Sequence, residues 1–293
     1  MSTLILPRLK ILAAAFLFST GGMAVKSCTL TAWQVASFRC AVGAVAILVM
    51  LPAARRRWTG GTLAVGAAYA GTLTCFVLAN KMTTAASAIF LAAAAPLYVL
   101  LLAPRLLGER TRARDVAVMA GMAVGLALLF ADRPEPVATA PAPLAGNLFG
   151  VGIGVFWAFT VMGLRWLGGS GPRQGAPAAV VAGSVIAALM ALPGALPVTS
   201  SQPSDWLWIG YLGVFQIALA YALLTTAVSA VPALEASLLL LVEPLFNPLW
   251  AYWSHGETPG PWAIGGGVLI LGVTVAKSVR DAYSPPERPR AAP

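Results

Sequence analysis

Apolar residues in this chain come in long, nearly uncharged blocks of about 20 residues, the length an α-helix needs to cross the hydrocarbon layer at ~1.5 Å per residue. Polar residues gather in short stretches between the blocks. Inside a bilayer no water can satisfy backbone N–H and C=O groups, so each block must pair its own, as a helix does. The pattern predicts spans at about residues 8–28, 32–51, 62–81, 84–104, 114–131, 147–167, 176–197, 206–228, 233–253 and 262–280. The fold class expected is an all-α polytopic membrane protein of ten transmembrane helices. The first block, following Arg8 and Lys10, could also be read as a signal peptide; its length and the repeat below favour a span.

Composition supports the same class: 59% of the 293 residues are hydrophobic and only 10% charged, with a mean hydropathy of +0.82. No room is left for a soluble domain, so the membrane bundle must carry the function. The net charge of +9 would suggest a nucleic-acid partner in a soluble chain. Its distribution suggests membrane orientation instead. With the N-terminus inside, fifteen of the nineteen basic residues fall on the cytoplasmic side, while Lys26, Lys81 and Arg133 fall opposite and Arg39 lies within a span. A bacterial inner-membrane protein with both termini cytoplasmic is expected. Cys28, Cys40 and Cys75 have neither metal nor redox spacing. No cofactor, metal or nucleic acid is anticipated.

An internal repeat changes the picture further. Ala95-Pro96-Leu97 precedes Gly108-Glu109, and Glu243-Pro244-Leu245 precedes Gly256-Glu257, at a constant offset of 148 residues. Phe18-Ser19-Thr20 with Lys26 can be laid over Trp157-Ala158-Phe159 with Arg165 at an offset of 139. The expected organisation is a five-helix repeat over 1–131, a Pro/Ala-rich periplasmic linker over 132–146, a second five-helix repeat over 147–280 and a disordered cytoplasmic tail over 281–293. Five is odd, so the halves would be inverted, as in many secondary transporters.

Several residues inside spans are candidates for chemistry. Glu243 lies near the middle of the ninth, where a carboxylate costs ~2.5 kcal/mol or more and must face a cavity or partner, or carry a proton. It could contact a substrate ammonium group, couple protons, or form a structural pair. Arg39 could snorkel outward or, being close in depth, meet Glu243 directly or through a substrate's carboxylate and ammonium groups. Pro96 and Pro244 each remove a helix hydrogen bond, as hinges or as plain kinks. Ser19, Tyr69, Asn80, Tyr98, Trp157, Gln216, Tyr221, Asn247 and Trp250 are cavity candidates, with helix packing as the alternative. His255 reads as a loop histidine, and Gly121 with Gly125 as close helix packing within one protomer, although a homodimer face would use the same spacing. No nucleophile, base and acid set is found, so an enzyme is not expected.

The ten-helix duplication, the prolines of helices four and nine followed by Gly-Glu, the aromatic near the middle of helices one and six, and the arginine in helix two resemble the drug/metabolite transporter superfamily, EamA type. Within it the chain looks most like the bacterial aromatic amino acid exporter group. The resemblance covers about residues 8–280. It implies export of small metabolites, often amino acids, without ATP hydrolysis. Phe18 stands where relatives commonly carry Trp, and Arg39 looks more like the general family, so broad selectivity is expected. Cationic drugs are the alternative cargo; a channel is the other class to weigh.

Overall fold

The computed structural model describes residues 5–55, 58–106, 113–132, 135–169, 175–227, 230–231 and 233–283. Gly108-Glu109, Arg133, the side chain of Arg165 and the tail beyond 283 lie outside the described residues. In chain order the helices are α1 (Ile5–Ser19), α2 (Gly21–Ser27), α3 (Ala32–Met50), α4 (Gly60–Met82), α5 (Ala85–Ala93), α6 (Ala95–Leu106), α7 (Ala113–Ala131), α8 (Pro143–Gly169), α9 (Ala176–Ala195), α10 (Pro203–Tyr211), α11 (Ala220–Ala227), α12 (Ala233–Leu240), α13 (Val242–His255) and α14 (Pro261–Tyr283). A π-helical segment, Leu212–Leu219, joins α10 to α11.

Among the described residues, eight helical stretches are long and apolar enough to cross a membrane. They are Ile5–Ser27, Ala32–Met50, Gly60–Met82, Ala85–Leu106, Pro143–Leu164, Ala176–Ala195, Pro203–Ala227 and Pro261–Asp281. The two other expected spans fall on the shorter apolar helix Asp115–Ala131 and on α12 with α13. Large apolar side chains such as Leu189, Leu207 and Val268 are more than 60% exposed. In water such a surface would aggregate; against lipid it is the required finish.

Short polar stretches start the helices where the hydropathy changes. Thr31 and Gln34 form a reciprocal capping box on α3, with Thr31 Oγ1 accepting from Gln34 N at 3.3 Å and Gln34 Oε1 accepting from Thr31 N at 3.0 Å. Thr59 and Thr84 cap α4 and α5 through the N–H groups of Thr62 and Ser87. Small residues then set the packing. A Cβ on Gly183 of α9 would stand 2.6 Å from the Gly66 carbonyl of α4, so the backbones of these helices touch directly. A Cβ on Gly266 of α14 would stand 2.5 Å from the Gly125 carbonyl of α7, so Gly125 serves packing inside the protomer.

Three long stretches are interrupted. Ile5–Ser27 breaks at Thr20, beside Gly21-Gly22; Ala85–Leu106 breaks at Ala94, two residues before Pro96; and the α12–α13 stretch breaks at Leu241, three residues before Pro244. Both prolines thus sit in the first turn of the following segment, where N–H groups have no intrahelical acceptor and proline is tolerated.

Candidate functional site

The breaks at Ala94 and Leu241 face one cavity. A cavity of about 300 Å³ lies mid-bundle, lined by Ala92, Ala93, Ala95 and Pro96 from one and by Leu240, Leu241, Glu243 and Pro244 from the other. Its volume is of the order small-molecule sites occupy, roughly 300–1,000 Å³. Most of the wall is apolar or aromatic, with a few polar groups among it.

Arg39 supplies one of them. Its residue is 1% exposed, Nη2 donates to the Leu73 carbonyl at 2.8 Å, Nη1 donates to Gln216 Oε1 at 3.2 Å, and Cζ stands 5.2 Å from the Phe76 ring centroid. Nε donates to nothing. The guanidinium is therefore held by neutral acceptors and a ring face, and no carboxylate among the described residues lies in ion-pair range. Gln216 reaches it from the π-helical segment, whose wider turn changes the register of the side chains that follow.

Tyr69 and Tyr221 meet edge to face, with centroids 5.4 Å apart, and Phe18 meets Tyr221 the same way at 5.2 Å. These rings and Trp157 form an aromatic wall. Glu243 lines the cavity without an ion pair or hydrogen bond to another described residue. A cation and a carboxylate in one cavity wall, not paired with each other, can orient a small solute that carries both charges.

Of the sequence candidates, the structure gathers Phe18, Arg39, Tyr69, Pro96, Trp157, Gln216, Tyr221, Glu243 and Pro244 around this cavity. The other five lie elsewhere. Ser19 Oγ donates to the Phe16 carbonyl and accepts from Trp250 Nε1 at 2.9 Å, a tie between α1 and α13. Trp250 continues into a ring cluster with Phe16, Phe246 and Trp253. Tyr98 packs over Gly154 of α8. Asn80 and Asn247 lie one turn beyond the cavity and are buried. His255 ends α13, with Ser254 Oγ 2.7 Å from Nδ1; burial holds its imidazole below the usual range, Lys26 and Lys81 acting the same way and Glu257 against it.

Sequence reasoning passed over Thr72, Phe76 and Thr274, which also line the cavity. Thr72 and Phe76 follow Tyr69 at three and seven residues, on one face of α4, so helical spacing from Tyr69 would have found them. Thr274 gave no such signal.

An all-helical bundle with a lipid-facing apolar surface and polar groups turned inward defines a multi-span membrane protein. Residues 144–276 match the EamA-like transporter family. An uncharacterized transporter of Archaeoglobus fulgidus is 27% identical over 207 residues, which cover 70% of this chain and 72% of that protein. A protein of known crystal structure shares the fold, with a TM-score of 0.60 and 23% identity over 95% of this chain and 99% of that one.

Proposed function

We propose that this protein is a secondary transporter that exports amino acids of broad type, or similar small metabolites, across a bacterial inner membrane by alternating access. In this reading α7 and the α12–α13 stretch complete a set of ten spans, and the two sets of five are inverted repeats with both termini in the cytoplasm. The helix contacts fit a two-fold exchange of the halves. Span three (α4) packs on spans six (α8) and seven (α9); span eight packs on spans one (α1) and two (α3). Span four packs on span six, and span nine on span one, while spans two and seven, and five and ten, pair with each other. Such exchange gives a bundle two equivalent packings, each opening the central cavity to one side.

The observation that carries the substrate reading is the cavity itself, with Arg39 and Glu243 on different parts of its wall and unpaired with each other. A zwitterion would satisfy both charges at once. Purified protein in liposomes should show saturable counterflow for some members of an amino acid panel. Glu243→Gln and Arg39→Ala should each lower that flux at least tenfold, and normal transport by both variants would remove the assignment. Flux of cationic drugs alone, lost only in Glu243→Gln, would favour multidrug efflux. Repeating the assay with and without an imposed pH gradient separates proton antiport from facilitated diffusion.

A further inference from the structure

Four elements run from the cavity toward the end of the bundle that holds Lys26, and they meet there in two layers. On the first span Phe18 lines the cavity, Gly22 follows four residues on, and Lys26 four further. On α4 Phe76 lines the cavity, Asn80 follows, and Thr83 ends the helix. On α5, read backward, Ile89 lines the cavity and Ala85 starts the helix. On α13 Glu243 lines the cavity, Asn247 follows, and the helix closes at Gly256, before Glu257.

In the first layer, the Oδ1 atoms of Asn80 and Asn247 each lie 2.8 Å from where a Cβ on Gly22 would stand, and the Cβ of Ala85 lies 3.1 Å from it. Asn247 is fully buried, and both its Oδ1 and Nδ2 lack a partner; Asn80 Oδ1 also lacks one. A buried amide left unsatisfied opposes folding, so the Asn247 amide with neither end bonded and the Asn80 oxygen beside it, both packed against Gly22, call for a polar partner.

In the second layer Lys26 Nζ stands 2.7 Å from Glu257 Oε1, and both side chains are 3% exposed. The same ammonium donates to the carbonyls of Thr83 and Thr139, and Glu257 Oε2 accepts from the Ala85 N–H at 2.9 Å. The knot ties the first span, the α4–α5 turn, the linker and the end of α13 together. It closes that end.

We propose that the solute leaves between α2, α4, α5 and α13, with the Asn80 and Asn247 carbonyls as a second station for a protonated amine and Lys26–Glu257 as the lock. The inference rests on the transport reading. Glu243 and Asn247, one turn apart on α13, and Glu257, just past its end, offer three acceptors, so the ammonium of an amino acid is handed from one to the next. The Lys26 ammonium occupies the last acceptor when no solute is there, and the incoming amine displaces it. A carboxylic acid without an amine cannot make that exchange.

The test uses the full chain with Cys28, Cys40 and Cys75 replaced and Ala85→Cys as the reporter, expressed in spheroplasts and treated with a membrane-impermeant anionic methanethiosulfonate. Labelling should be slow, rise at least tenfold with Glu257→Gln or Lys26→Met, and slow again in the charge swap Lys26→Glu with Glu257→Lys. A transported amino acid should accelerate labelling of the unlocked-by-solute parent, and its N-acetylated form should not. Unchanged labelling in Glu257→Gln, in protein that remains monodisperse, overturns the lock. For the station, Asn247→Leu should raise the melting temperature in detergent while lowering the maximal flux severalfold. A lower melting temperature or unchanged flux overturns it. If counterflow is nil for every solute yet the labelling differences hold, the transport reading fails and the lock stands.

Discussion

Arg39 shows how a charge can be kept inside a membrane bundle without a countercharge. Its guanidinium has a carbonyl, an amide oxygen and an aromatic face, three neutral groups that together replace part of the hydration it loses. Removing one should be felt. Gln216→Leu leaves Nη1 without its acceptor, and the expected loss is about 1–3 kcal/mol, the cost of an unsatisfied buried polar group. It should appear as a lower melting temperature in detergent, with Gln216→Glu recovering most of it through a charge-assisted bond. At this scale the sequence was readable wherever polarity contradicted its surroundings: Arg39, Gln216 and Glu243 stand out in apolar stretches and all three line the cavity. Ser19 and Asn247 stand out equally, yet face a neighbouring helix and a closed layer. Which way a residue faces depends on rotation about its helix, and two residues of shift turn a side chain by about 200°.

The same limit operates for whole helices. Proline announces the breaks at Ala94 and Leu241, because it cannot donate to the preceding turn. Gly21-Gly22 was the only local sign of the break at Thr20, and glycine pairs are too common in spans to be decisive. Nothing in Leu212–Leu219 marks a π-helix. That segment packs where a Gly213 Cβ would stand 2.6 Å from Val42, so its register is set by a neighbour rather than by its own residues. If the proline breaks serve movement, closing them should separate stability from function. Pro96→Ala and Pro244→Ala each add an N–H that finds an acceptor once the break closes into continuous helix, a bond worth about 0.5–1.5 kcal/mol. The melting temperature should rise while counterflow falls, most in the double variant; equal flux at a higher melting temperature would reduce the prolines to passive kinks.

For the molecule as a whole, hydropathy was enough for the class, since that depends on sums over many residues rather than on any one orientation. Eight stretches meet the demands of length and hydropathy among the described residues, and the two further spans of the proposed reading lie on Asp115–Ala131 and on α12 with α13, each beside residues outside that description. The proposed orientation is open to a direct check. A fluorescent protein fused after Pro293 should fold and emit in cells, and alkaline phosphatase at the same place should be inactive; the reverse pattern would turn the whole bundle over.

The composition of α13 bears on biosynthesis as well as on transport. A helix that carries Glu243, Asn247, Pro244 and Pro248 partitions poorly from the translocon into lipid by itself. Its polar face is covered by α1, α2 and α5, made some 150 residues or more earlier. Those helices must already be arranged to receive it as it emerges, so the first half of the chain acts as the receptor for a late segment of the second. Order of synthesis is thereby written into the placement of a few polar side chains.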